Sequence, residues 1–170
     1  MSDLIKKLLL FLCLISIIKC TNNCTSFHKL KQPIYGIDVS HYQSEKNKIN
    51  WQEVAKNNKP KIEFAYIRTT MGSNSIDTAF KYNIKAAQKN NIKTGVYHYF
   101  RPNEKWETQF INFHKNNPKI GELPPVIDIE KRGEIKIKEL REQILKFAKE
   151  IENIYKIKPI IYTQQKFYNM

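Results

Sequence analysis

Two acidic residues follow a short apolar run in the C-terminal half of the chain. Residues 124–130 read Pro-Pro-Val-Ile-Asp-Ile-Glu, which places Asp128 and Glu130 two positions apart. In a β-strand, side chains at i and i+2 project from the same face, with Cα atoms about 6.6 Å apart. Hydrolysis of a glycosidic bond uses one protonated and one ionised carboxyl group roughly 5 to 9 Å apart. The pair therefore suits that chemistry, although a strand that simply ends in solvent gives the same pattern.

Two other apolar segments, 35–42 and 94–100, also end in polar and aromatic side chains. These are Asp38, Ser40, His41, Tyr42, Tyr97, His98, Tyr99 and Phe100. In parallel α/β barrels the C-terminal ends of the strands converge on one site. We therefore expect these side chains to meet the acid pair, which favours a catalytic role for the acids.

Apolar periodicity predicts alternating strands and helices from residue 33 onward. The predicted strands are 34–39, 62–68, 93–100, 124–130 and 158–163. The predicted helices lie near 50–57, 77–90, 103–116 and 134–156. Strict alternation predicts an α/β fold in which helices cover a parallel sheet. Because no glycine-rich phosphate-binding loop follows a strand, a barrel is favoured over a doubly wound nucleotide-binding sheet.

Two of the predicted helices carry an apolar stripe that should face the core. In 77–90 the stripe consists of Ala79, Phe80, Ile84 and Ala87, with Asp77 before it as a candidate N-cap. In 134–156 it consists of Ile137, Leu140, Ile144, Phe147, Ile151 and Ile154.

Residues 1–20 have the composition of a secretory signal peptide. Lys6 and Lys7 precede an apolar run over residues 8–18 that is too short for a comfortable membrane span. Cleavage after Cys20 would give a secreted protein. Lipidation of Cys20 would instead anchor the protein to the cell envelope.

The exported part is predicted to consist of a polar linker, residues 21–32, and one domain, residues 33–170.

The net charge is +13. It falls to +11 without residues 1–20, since that segment contributes three lysines and one aspartate. Such a surface attracts polyanions. No basic run alternates with aromatic residues, so nucleic acid is not an expected partner. Teichoic acids, anionic glycans or phospholipid surfaces fit better.

Six segments resemble, in order and spacing, those of the family 25 glycoside hydrolases, the Chalaropsis-type lysozymes that cleave peptidoglycan. They are residues 35–43, 49–55, 64–70, 95–102, 123–130 and 158–163. The resemblance implies a TIM-like irregular (β/α) barrel and an N-acetylmuramidase that hydrolyses β-1,4 bonds in peptidoglycan glycan strands. We expect a monomer without cofactor or metal.

The resemblance also implies roles for individual residues. Glu130 corresponds to the general acid. Asp128 corresponds to the acid that either attacks the anomeric carbon or orients the substrate's N-acetyl group, and Asp38 corresponds to a further carboxylate of the same site. The aromatic side chains expected to contact sugar rings are Tyr66, Tyr97, Tyr99, Phe100 and Tyr162.

The sequence departs from the family pattern at two places. Met71 stands where the family commonly has Glu. The chain reaches Met170 before the family's last three strands, so the resemblance implies an incomplete barrel of about five β-α units. We expect either a fragment of a longer product or a degenerate one, and expect residues 21–170 alone to be poorly soluble or inactive. A catalytically inactive peptidoglycan-binding remnant is the alternative function.

An alternative hypothesis is that the protein is a metal-dependent enzyme. The metal ligands would be Asp38, His41, His98, Asp128 and Glu130, as in a metal-dependent deacetylase-like hydrolase. No two histidines have helical ligand spacing, and the apolar and aromatic neighbours of His98 suit a core imidazole. The glycoside hydrolase reading is therefore preferred.

Overall fold

The computed structural model describes residues 33–117 and 119–165 as alternating strands and helices. The strands are β1 (Tyr35–Val39), β2 (Ile62–Met71), β3 (Ser75–Ile76), β4 (Lys93–Tyr99), β5 (Val126–Ile129) and β6 (Ile160–Thr163). The helices are α1 (Trp51–Lys56), α2 (Phe80–Lys89), α3 (Trp106–Asn116) and α4 (Ile137–Tyr155), and a short 3-10 helix covers His41–Ser44. The predicted signal peptide, with Cys20, and the predicted linker lie outside the described residues.

Five strands form a parallel sheet in the order β1-β2-β4-β5-β6, and β3 pairs antiparallel with the end of β2. Successive parallel strands are always neighbours, so each crossover advances in the same direction. Right-handed crossovers then place all helices on one face. A doubly wound sheet needs a reversal of strand order, which is missing from the described strands. The predicted α/β fold with a parallel sheet is confirmed.

The helix-covered face of the sheet carries two apolar clusters. One joins Trp51 of α1 and Ala87 of α2 to Ala65 and Ile67 of β2. The other cluster consists of Val96, Phe100, Phe110, Phe113, Ile127, Ile129, Leu140, Phe147 and Ile151. Every helix therefore contributes a buried side chain to this face, and the opposite face is left open.

The predicted stripes are largely confirmed. Ala87, Leu140, Phe147 and Ile151 are buried. Ile154 is 46% exposed, so the stripe of α4 faces the core only as far as Ile151. In the last turn Tyr155 makes the core contact instead, with its ring centroid 6.0 Å from that of Phe113.

Asp77 is not an N-cap, contrary to the sequence prediction. Helix α2 begins at Phe80, its N-cap residue is Ala79, and no side chain caps it. The Asp77 carboxylate instead accepts a hydrogen bond from Arg68, 3.0 Å away. Its other oxygen accepts a hydrogen bond from the Ala79 N–H, so the carboxylate contacts the residue before the helix and does not cap α2.

No helix within the described ranges is long and apolar enough to cross a membrane.

Candidate active site

An open groove of about 840 Å³ occupies the face of the sheet opposite the helices. Most of the strand residues that line it alternate along their strands: Gly36, Asp38, Phe64, Tyr66, Arg68, Tyr97, Tyr99, Val126, Asp128, Ile160 and Tyr162. Ile37 of β1 also reaches the groove. The residues between the alternating ones include Val39, Ala65, Ile67, Val96, Ile127 and Ile129, all of which are buried. The two-residue period of a strand thus separates the groove from the core. Because residues of β1 and β6, the first and last parallel strands, line the same groove, the sheet is curled.

The structure brings the three predicted carboxylates, Asp38, Asp128 and Glu130, to this groove. Asp128 is only 9% exposed, and its Oδ1 has no hydrogen-bond partner among the described residues. Burial, followed by the charges of Glu130 and Asp38, raises the pKa of Asp128 to about 7, against the opposing effect of Arg68. Near neutral pH the Asp128 carboxyl can therefore both hold and release a proton.

Four of the five predicted aromatic residues, Tyr66, Tyr97, Tyr99 and Tyr162, also line the groove. Burial raises the pKa of the first three. Asp38 and Asp128 raise the pKa of Tyr97 further, while Arg68 lowers it. The hydroxyl groups of Tyr66, Tyr97 and Tyr99 are therefore protonated at neutral pH and available as hydrogen-bond donors.

Phe100 does not face the groove, so its predicted contact with sugar rings is wrong. It is 1% exposed, and its ring centroid lies 5.7 Å from that of Phe147 in the core. The reason is strand parity. Tyr97 and Tyr99 point into the groove, and Phe100, one position further, points to the helices.

His98 also lies on the helix side, so the metal reading is wrong. Its Nδ1 is 2.8 Å from Thr70 Oγ1, and its Nε2 is 3.2 Å from Gln109 Oε1. The imidazole stacks on Phe147 with a centroid distance of 5.0 Å. Burial lowers its pKa to about 4. His98 and Asp128 face opposite sides of the sheet and cannot share a metal ion.

Arg68 is a groove residue that the sequence analysis missed. Its side chain is 7% exposed, its Nε donates to Asp77 Oδ2, and its guanidinium lies 5.2 Å from the centroid of the Tyr42 ring. The signal was present in the sequence, because Tyr66 and Arg68 are two positions apart on one strand. Their shared parity places both in the groove.

Met71, where the resemblance led us to expect Glu, lies on the groove wall. Behind it, the Glu104 carboxylate accepts hydrogen bonds from the Ser73 N–H at 2.6 Å and from Arg101 at 3.0 Å. Gly72 has φ +57°, and a Cβ there would lie 2.6 Å from Glu104 Oε2. The positive φ therefore favours glycine at this turn, which leads into Ser73, the residue whose N–H binds Glu104.

A curled parallel sheet with carboxylates and aromatic rings at its C-terminal strand ends is typical of the α/β glycoside hydrolases. The model of one such family, the glycosyl hydrolases family 25, matches residues 37–170. The chain belongs to this family.

The chain is also similar to curated bacterial proteins. The chain is 37% identical over 139 residues to the uncharacterized protein YegX of Escherichia coli K12, covering 80% of this chain and 50% of that protein. It is 36% identical over 102 residues to lysozyme M1 of Streptomyces globisporus, covering 57% of this chain and 33% of the lysozyme. The chain thus spans half the length or less of these curated relatives.

Solved structures resemble the described fold. A family 25 glycosyl hydrolase from Bacillus anthracis aligns with a TM-score of 0.73 at 33% identity, over 84% of this chain and 65% of that one. A lysozyme from Streptomyces coelicolor aligns with a TM-score of 0.69 at 30% identity, over 82% of this chain and 66% of that one. The sheet corresponds to a half-barrel within this fold.

The floor of the groove depends on Gly95 of β4. A Cβ at this position would lie 2.3 Å from the Tyr66 ring and 3.0 Å from Leu123 Cβ. We expect Gly95→Ala to displace the Tyr66 ring and to lower the free energy of unfolding by about 1–3 kcal/mol. Urea unfolding would measure the change. In a Tyr66→Ala background the cost should largely disappear, and an equal cost in both backgrounds would contradict this account.

Proposed function

We propose that the protein is a lysozyme, an N-acetylmuramidase that hydrolyses the β-1,4 glycosidic bonds of peptidoglycan, and that its sheet belongs to a TIM-like (β/α) barrel. The observation that carries the proposal is the set of three carboxylates, Asp38, Asp128 and Glu130, on one groove beside five tyrosines. Family membership and the likeness to lysozymes support it. Because the groove retains all three acids, the alternative of an inactive peptidoglycan-binding remnant is not favoured.

The proposed roles follow from the placement of the acids. Glu130 is half-buried at the end of β5 and donates a proton to the leaving oxygen. Asp128 lies deeper, and its Oδ1 has no hydrogen-bond partner within the part of the chain that the structure describes. It holds the reacting centre either directly or through the substrate's N-acetyl group. Asp38 is exposed on β1 and contributes negative charge to the same groove. The roles need no cofactor or metal.

The identity of the new reducing end tests the activity. Peptidoglycan treated with the protein would be reduced with borohydride, hydrolysed in acid and analysed for amino sugar alcohols. A muramidase exposes the reducing end of N-acetylmuramic acid, so we expect muramitol to accumulate with time. Accumulation of glucosaminitol would contradict the proposal, and accumulation of neither alcohol would favour the inactive remnant over it.

The stereochemistry of cleavage is a second expected outcome. Asp128 in β5 and Glu130 directly after it are two positions apart on the same groove, which favours the close carboxyl spacing of retaining hydrolysis. Proton NMR during the first minutes of reaction should therefore show the β-anomer before mutarotation. An initial α-anomer would show inversion and would rule out this arrangement.

We also propose export, based on the composition of residues 1–20. The mature protein would act on peptidoglycan as a secreted monomer, or from the envelope if Cys20 is lipidated. Mass spectrometry of the mature N-terminus distinguishes these cases, since lipidation adds acyl mass at Cys20. A retained Met1 in the mature protein would contradict export by cleavage.

A further inference from the structure

Asp77 has more polar contacts than its position in a short connection requires. Its side chain is completely buried. Oδ2 accepts from Arg68 Nε at 3.0 Å and from the His41 N–H at 2.8 Å, and it lies 3.3 Å from His41 Nδ1. Oδ1 accepts from the Ala79 N–H at 3.0 Å. One carboxylate thus joins β2, the 3-10 helix after β1, and the start of α2.

The partner of Asp77 extends this network into the groove. Arg68 lines the groove and its Nη2 contacts His41 Nδ1. Its guanidinium also lies against the Tyr42 ring, which is 60% exposed at the groove wall. A buried ion pair contributes little net stability after desolvation, and an apolar pair of similar volume often does as well. Stability alone therefore does not account for an ion pair here.

We infer that Asp77 is a positioning residue of this site, and that it fixes Arg68 as a positive charge on the groove that contains the Asp128 carboxylate. A role of this network in catalysis rests on the proposed function. The contacts between Asp77 and Arg68 do not depend on it. The positive charge of Arg68 lowers the pKa of Asp128. It also lowers the pKa of Tyr97. Asp77 itself does not line the groove, so it acts through Arg68.

Several charged groups surround Asp128, so a test must separate the effect of Arg68 from the effects of the others. The charged and titratable side chains that share its groove are Asp38 on β1, Tyr66 and Arg68 on β2, Tyr97 and Tyr99 on β4, Glu130 after β5 and Tyr162 on β6, with Tyr42, Arg101 and Lys131 on the connections. Burial raises the pKa of Asp128 most, Glu130 and Asp38 raise it further, and Arg68 opposes them. Movement of Arg68 should therefore be visible in the titration of Asp128.

The Asp77→Asn variant gives opposite results for a positioning role and for a simple charge effect. If Asp77 acted only through its own negative charge, its removal would lower the pKa of Asp128. If Asp77 positions Arg68, the guanidinium moves away and the pKa of Asp128 rises by about 1 unit. Carbon-13 NMR of the Asp128 carboxyl group over pH 4 to 10 measures the shift. A fall or no change would overturn the inference.

Two further variants identify the residue through which Asp77 acts. Arg68→Gln should raise the pKa of Asp128 by a similar amount, and Asp77→Asn should then add no further rise. The matched control is Arg101→Gln, because Arg101 also lines the groove but pairs with Glu104 at 3.0 Å. Arg101→Gln should leave the pKa of Asp128 in place. An equal rise in this control would indicate a general charge effect and overturn the inference.

A measurement on the unaltered protein covers the case in which the variants do not fold. The Nε–H of Arg68 should exchange with solvent far more slowly than that of Arg101, since it is buried and bonded to Asp77. Equally fast exchange would show that the pair is not fixed and would overturn the inference. None of these readouts requires hydrolysis, so failure of the proposed function and failure of this inference are distinguishable.

Discussion

Replacing Glu130 with glutamine should reduce the rate of peptidoglycan hydrolysis by about 10²- to 10⁴-fold, the usual contribution of a general acid. Glutamine has nearly the same shape and remains able to form hydrogen bonds, but it has no proton to donate. Glu130 is half-buried beside Asp128 on the groove, so the substitution leaves the packing of the core unchanged. The rate of muramitol release measures the loss.

Two controls separate lost chemistry from lost structure. Unfolding of Glu130→Gln in urea should follow that of the unaltered protein, and the variant should still bind insoluble peptidoglycan. Glu134→Gln is the matched substitution, because Glu134 is exposed on the same connection and does not line the groove. It should cleave at the original rate. An unchanged rate in Glu130→Gln would exclude Glu130 as the acid.

The sequence predicted the elements well because their periodicity is strong. The five parallel strands and four helices were each expected within a few residues of where they occur. The two-residue strand β3 and the 3-10 helix escaped prediction, since segments of two to four residues carry no detectable period. The Arg68–Asp77 pair depends on the turn that includes β3, which brings residues nine positions apart into contact. That contact could not be read from the sequence.

Side-chain direction was harder to predict than strand location. Asp128 in β5 and Glu130 directly after that strand both line the groove, as their two-residue spacing predicted. The run from Tyr97 to Phe100 is aromatic on both faces, so composition alone could not show which members face the groove. Counting in twos from Tyr97 would have assigned Phe100 to the core. The same count places His98 on the helix side, where it is buried. Its burial makes the stability of the fold depend on pH.

His98 should make the folded protein less stable as pH falls from about 6.5 to 4. Burial lowers its pKa from 6.5 to about 4, so in this range the unfolded chain binds a proton that the folded chain does not. The contribution is fully present above pH 6.5 and is lost at about 1.4 kcal/mol per pH unit, or roughly 3 kcal/mol in total. The imidazole is fully buried, and its neighbours Thr70, Gln109 and Phe147 carry no negative charge that would offset a proton.

The titration of Asp128 has the opposite effect on stability. The effect of His98 is therefore measured in a variant that lacks the Asp128 carboxyl group. Its pKa is raised from 3.8 to about 7, so in the same pH range the folded chain binds a proton that the unfolded chain does not. Stability from Asp128 is present at low pH and is lost as pH rises, which partly cancels the slope of His98. Urea unfolding at pH 6.5, 5.5 and 4.5 should therefore show a steep acid loss in Asp128→Asn and a shallow one in Asp128→Asn/His98→Gln. All other acids are common to both variants and cancel in the comparison. Equal slopes would mean that His98 is not held neutral by burial.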